Sequence, residues 1–115
     1  MEFYETCSDG FIVAEINRVV KGYIVGFMGS EETGRIFSLA VDPEFQNRKI
    51  GSLLLKEMID VFRKARAGEI ILEVRESNTK AERFYERHGF YRIGIAREYY
   101  NNGENAKLMK LNIGK

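Results

Sequence analysis

The stretch from Phe37 to Phe62 constrains this chain more than any other. Phe37 to Val41 is a largely apolar run stopped by Asp42-Pro43, and a basic and amide-rich turn closed by Gly51 follows, with two adjacent cations, Arg48 and Lys49. From Gly51 onward Leu54, Leu55, Met58, Ile59 and Phe62 recur at helical spacing, and Ala67-Gly68 is expected to end the element. Strand, turn and helix thus follow one another with no linker between them. Glu69 to Val74 is a second apolar run, broken only by Glu73. A helix between two such runs predicts parallel strands joined by a right-handed crossover.

A turn that feeds straight into a helix has a further property. The first N–H groups of a helix lack intrahelical partners and carry partial positive charge, which suits a phosphate. Arg48 and Lys49 would add two cationic side chains. An ordinary turn with a solvated basic face uses the same residues, and this stretch alone leaves both readings open.

Around this centre the chain divides readily. Phe11 to Ile16 and Val19 to Met28 are rich in β-branched and aromatic residues, and the short Asn17-Arg18 connection predicts a hairpin. Ser30 to Gly34 reads as a turn before a strand from Arg35 to Val41, so three consecutive strands are expected before the organising helix. Met1 to Asp9 is mixed and reads as the end of a helix or a leader, with Asp9-Gly10 as a turn. A second helix is predicted from Thr79 to His88, with Thr79 and Glu82 at capping-box spacing and Gly89 as its stop. Arg92 to Tyr100 and Ala106 to Ile113 form a closing hairpin across Asn101 to Asn105.

The 115 residues read as one domain, 1–115, without repeats or linkers. With 18 basic and 17 acidic side chains there is no electrostatic reason to expect nucleic acid or an acidic membrane as partner. No apolar run reaches the length of a membrane span and no secretory signal is visible. Cys7 is the single cysteine, so no internal disulfide forms and a reducing cytoplasm is the expected location. His88 is the single histidine. Nothing in the sequence brings it to Cys7, so Cys7 reads as a bystander and His88 as helix-end packing.

The second half carries a more specific pattern. Glu73-Val74-Arg75-Glu76-Ser77-Asn78, followed by Ala81, Phe84-Tyr85 and Gly89-Phe90, resembles the LEVRxSNxxAxxLYxxxGF pattern of RimI-like protein N-terminal acetyltransferases. These belong to the GNAT superfamily of acyl-CoA-dependent N-acetyltransferases. Gln46 to Gly51 resembles that superfamily's QxxGxG pyrophosphate loop, with Lys49 where the first glycine usually stands, and Leu39-Ala40-Val41-Asp42-Pro43 resembles its cofactor-side strand. Together the matches cover about Asp9 to Ile113, with Phe84 replacing the usual leucine.

The resemblance implies an α/β fold whose central mixed, mostly antiparallel sheet contains a parallel, splayed strand pair and carries flanking helices. It implies acetyl-CoA as acetyl donor, CoA as product, and a protein or peptide N-terminus as acceptor. Leu39, Ala40, Val41, Gln46, Asn47, Arg48, Lys49, Ile50, Gly51, Ser52, Asn78 and Tyr85 would then contact the cofactor, while Tyr99 and Tyr100 would help cover the peptide. It also implies a strand and a helical segment ahead of the part represented by Met1 to Asp9, building one wall of the peptide site. The sequence leaves no room for them, so the expectation is a monomer or homodimer whose wall is absent or supplied by the second chain.

Acetyl transfer to an amine needs a deprotonated amine, a stabilised oxyanion and a proton for the departing thiolate. An α-amino group has a pKa near 7.7 to 8.0, so a carboxylate suffices as base, directly or through water. Glu73 is the candidate base, set against a reading as half of a salt bridge to Arg75 or to another surface partner. Tyr85, a phenol with an ordinary pKa near 10, is the candidate acid, set against simple core packing. Asn78 serves equally as a helix cap, and a backbone N–H between Leu39 and Val41 is the candidate oxyanion donor. As adjacent strand residues Tyr99 and Tyr100 would point to opposite faces, so only one would line the groove. Alternative acceptors are a small amine or a lysine side chain; a CoA-binding subunit without catalysis and a plain interaction domain are the non-enzymatic readings.

Overall fold

The computed structural model describes residues 2–5 and 10–114, with the side chains of 2–5 and 46–48 left undescribed. Seven strands and two α-helices follow in chain order: β1 (Glu2–Glu5), β2 (Phe11–Ile16), β3 (Val19–Met28), β4 (Thr33–Val41), α1 (Ile50–Lys64), β5 (Glu69–Arg75), α2 (Thr79–Arg87), β6 (Tyr91–Ala96) and β7 (Ala106–Asn112). They form one sheet in the order β1-β2-β3-β4-β5-β7-β6. Only β4 and β5 are parallel, as the helix between them requires; every other pair is antiparallel. This is the mixed, mostly antiparallel sheet the sequence led us to expect.

Alternation sorts the side chains into two faces. Ile12, Ala14, Ile24, Ile36, Ile70, Leu72, Val74 and Met109 are buried beneath α1 and α2, where Leu54, Leu55, Met58, Phe62 and Tyr85 complete one core. The opposite face carries Phe11, Phe27 and Phe37, all exposed, and among the described residues no helix covers it. Helix α1 lies close to the sheet because glycines receive it. A Cβ built on Gly34 would fall 2.7 Å from the ring carbons of Phe62, and one on Gly26 would fall 3.0 Å from the same ring.

Four expectations are corrected. Glu2–Glu5 is a strand paired with β2, not the end of a helix or a leader, so four strands precede α1. Two polar and two aromatic residues in four gave no apolar period to read; what organises them is the partner strand. Helix α1 ends before Ala67-Gly68: Arg66 adopts a left-handed conformation (φ 65°), and Ala67 N–H bonds back to Phe62 O at 2.9 Å. Helix α2 is capped by Asn78, whose Oδ1 accepts from Ala81 N–H at 3.0 Å, rather than by Thr79. Finally β6 stops at Ala96, so Tyr99 and Tyr100 lie in the β6–β7 loop. Freed from strand alternation, their rings meet edge to face at 5.0 Å instead of pointing apart. Cys7 lies outside the described residues.

The Gly34–Phe62 contact gives a direct test of this packing. Phe62 is fully buried, so its ring cannot swing away from an added methyl. Gly34→Ala is expected to destabilise the fold by about 1–3 kcal/mol. Gly94→Ala, where the nearest atom to an added Cβ is 3.8 Å away, should cost less in parallel urea titrations.

Candidate functional site

The site begins where two strands part. Pairing of β4 with β5 runs from Thr33↔Glu69 to Ile36↔Leu72 and stops, although β4 continues to Val41 and β5 to Arg75. At that point the β3–β4 register shifts: Val25 faces Ser38 but Gly26 faces Ile36, leaving Phe37 as the extra residue of a bulge, 76% exposed. Beyond it β4 stays on β3, and Asp42 N–H donates to Lys21 O at 2.7 Å. Antiparallel alternation from that bond directs the peptide groups of Ala40 toward β3 and those of Leu39 toward the opening.

A cleft of about 650 Å³ occupies the opening on the helix face, lined by β4, the start of α1 and one side of α2. After β4, Asp42 caps a short 3-10 helix, Pro43–Arg48, by accepting from Glu44 N–H at 3.0 Å. Lys49 then turns left-handed (φ 61°, ψ 18°) and α1 starts with no side-chain cap and no acidic residue in its first turn. Its N-terminal charge is therefore uncompensated by its own side chains, and Lys49, Gly51 and Ser52 line the cleft. A glycine at position 49 would adopt this turn freely, whereas a left-handed residue with a Cβ costs about 1–2 kcal/mol. An added Cβ on Gly51 would make only ordinary contacts, at 3.5 Å from Phe84, so protein packing alone does not demand glycine there.

Across the cleft, Asn78, Ala81 and Tyr85 stand on α2 as the sequence led us to expect. Tyr85 is buried between Phe84 and Phe90, with ring centres 5.2 and 5.4 Å away. Burial pushes its phenol up to about 12. It stays protonated at any physiological pH. His88 stacks on Phe84 at 4.6 Å and donates from Nδ1 to Phe84 O at 2.8 Å, which is the helix-end packing expected of it.

Glu73 lies elsewhere. It alternates with the core residues Leu72 and Val74, so its side chain sits on the open face of β5 and does not line the cleft. The Arg35 guanidinium on β4 donates to it, forming an ion pair. Arg75 is engaged differently: it lies 3.9 Å from the centre of the Tyr100 ring and bonds Glu104 at 3.2 Å. Glu104 also accepts from Ser77 N–H at 2.8 Å. The β6–β7 loop is thereby tied to the end of β5, two residues beyond Glu73. Burial raises the Tyr100 phenol, the Arg75 charge lowers it, and the charges of Tyr99, Glu73 and Glu104 add to the rise.

The structure thus gathers Leu39, Val41, Lys49, Gly51, Ser52, Asn78 and Tyr85 around one cleft. Ile50 is buried in the core instead, and Ala40 does not line the cleft. The side chains of Gln46, Asn47 and Arg48 lie outside the described residues. Lys80, Phe84 and Arg87, which sequence reasoning passed over, also line it. Their spacing of four and three residues marks one stripe of α2, a signal that was available.

The raised phenol has a consequence for stability. Relative to an unfolded tyrosine near 10, a folded value near 12 stabilises the protein fully below about pH 10, and this contribution is lost as pH rises through 12. Wild-type protein is therefore expected to lose about 2–3 kcal/mol more than Tyr85→Phe between pH 9 and 12. Urea titrations of both across that range check this; parallel curves would mean that Tyr85 is not held protonated.

Known proteins give the arrangement its context. The family model described as Acetyltransferase (GNAT) family matches residues 1–90. An uncharacterised N-acetyltransferase of Methanocaldococcus jannaschii is 43% identical over 93% of this chain and 69% of its own. The N-alpha-acetyltransferase RimI of Mycobacterium tuberculosis is 38% identical over 81% of this chain and 62% of its own. Among solved structures, Ard1 from Thermoplasma volcanium superposes with a TM-score of 0.88 at 32% identity, covering 92% of this chain and 72% of that one. The NatC complex bound to Gag peptide and CoA superposes with a TM-score of 0.79 at 27% identity, covering 90% of this chain and 69% of that one. With a family match over most of its length and close relatives that share its fold, the chain belongs to the GNAT family of acetyltransferases.

Proposed function

We propose that this chain is an acetyl-CoA-dependent N-acetyltransferase acting on the α-amino group of a protein or peptide N-terminus, as one domain in the cytoplasm. The observation that carries it is the parting of β4 and β5, which gives access to Tyr85 from the helix face and to Glu73 from the other. The similarity to an N-alpha-acetyltransferase and to a peptide- and CoA-bound complex supports the choice of acceptor.

The residues present fit acetyl-CoA. The uncapped start of α1 with Lys49 suits a diphosphate, the outward peptide groups of Leu39 suit hydrogen bonding to an amide-bearing arm, and Asn78 stands at the cleft edge. When bound, acetyl-CoA supplies the activated acetyl group. Glu73 takes a proton from the acceptor amine, directly or through water, as the amine nitrogen bonds to the acetyl carbon. A backbone N–H of β4 meets the charge developing on the carbonyl oxygen. Tyr85 delivers its proton to the thiolate as the carbon–sulfur bond breaks; the proton gained at Glu73 then returns through solvent. The open face, with Phe37, Tyr99 and Tyr100 exposed or half-buried near Glu73, receives the peptide.

Acetyl-CoA should raise the melting temperature, because it binds the folded chain alone. CoA thiol should be released with free-N-terminus peptides and not with peptides whose N-terminus is blocked but which contain lysine. Tyr85→Phe should lower kcat about 100-fold with KM for acetyl-CoA nearly unchanged. Equal turnover by the variant would remove Tyr85 from the mechanism, and transfer to blocked peptides would move the acceptor to lysine.

A further inference from the structure

The ion pair between Arg35 and Glu73 is not explained by folding alone. The β4–β5 register sets Arg35 opposite Ile71, so its guanidinium reaches along the strand to the carboxylate just past the last paired residues. Glu73 is 13% exposed and Arg35 34% exposed, so the cation is the more solvent-facing of the two. Other charged groups on this face have partners of their own. Arg75 is held by Glu104 and Tyr100, and Lys110 on β7 pairs with Glu69 at 3.0 Å. On β7 the residue opposite Glu73 is Leu108, and on β3 the residue opposite Arg35 is Phe27; neither carries charge. Tyr100 from the β6–β7 loop also senses the Glu73 charge, and its phenol is raised, chiefly by burial.

A carboxylate that is to accept a proton from an amine meets its substrate first as an ammonium ion. With Arg35 in place, that ammonium would share one carboxylate with a guanidinium that never loses its own charge. Like charge at short range disfavours the protonated amine, while the ion pair aims the carboxylate. We propose that Arg35 is a positioning residue which acts through Glu73 to hold the bound acceptor amine in its neutral, nucleophilic form. This rests on the assignment of Glu73 as base made above, and it adds a residue to which neither the sequence pattern nor the cleft assigns a role.

The experiment compares wild type, Arg35→Gln and Arg35→Lys at saturating acetyl-CoA with one free-N-terminus peptide, measuring kcat and KM from pH 6 to 9.5. Loss of the cation lets the bound ammonium persist, so the acid limb of the kcat profile in Arg35→Gln should move up by about one pH unit. Turnover should then fall about tenfold near pH 7 and recover toward wild type near pH 9. Arg35→Lys should restore the wild-type profile in large part. An unshifted acid limb, or an equal loss of kcat at every pH, would overturn the proposal. If wild type transfers no acetyl group to any peptide, the proposed function fails instead. The role of Arg35, which rests on Glu73 as base, then falls with it.

Discussion

The candidate site in this molecule depends on the end of one set of hydrogen bonds. β4 and β5 are held together through Ile36↔Leu72 and then separate, with the Phe37 bulge at the same place. Parallel strands in a covered sheet normally pair along their length, because an unpaired buried peptide group is costly. Here the bulge re-aims β4 so that it keeps β3 as partner while releasing β5. The result is an open edge inside a sheet rather than at its rim. A ligand able to pair with that edge would complete the sheet.

The rest of the fold holds that opening in place. Phe62, near the far end of α1, lies flat on Gly34 where β4 and β5 are still paired. Leu54, Leu55 and Met58 continue the contact back along the helix. Fixing the helix at its buried end also fixes where its first turn lies, and that turn opens on the cleft. Lys49 shows how firmly this is set. Its left-handed backbone is a strained one for a lysine, yet the capped 3-10 helix before it and the packed helix after it leave no other path. Strain of this kind persists only where the surroundings over-determine it.

How much of this was legible in the sequence depended on whether a signal was local. The period of Leu54, Leu55, Met58 and Phe62 and the apolar run at Glu69 to Val74 specified a helix between parallel strands, and the structure has them. The pattern from Glu73 to Phe90 named the residues on β5 and α2 before any geometry was known. What stayed hidden was set by partners distant in the chain. Glu2–Glu5 is a strand because β2 is beside it. Arg66 is a helix stop because the Phe62 and Arg63 carbonyls need partners, although arginine signals no such conformation. Tyr99 and Tyr100 leave the strand because Arg75 and Glu104 hold the loop against β5. The expected partner of Glu73 was Arg75 or another surface group, and it is Arg35 on the neighbouring strand, which no local spacing could single out.

That last displacement bears on how acid and base coexist. Tyr85 sits on the helix face, kept protonated by burial, and Glu73 sits on the open face, paired with a permanent cation. A tyrosine and a carboxylate that touched would share one hydrogen bond, and neither would be free for a substrate. The sheet separates them, and the parting of β4 from β5 is the passage between the two faces. Under the proposed roles, a reacting centre in that gap would meet a proton acceptor from one side and a proton donor from the other. Resetting such a site would need water at Glu73, which its place on the uncovered face allows.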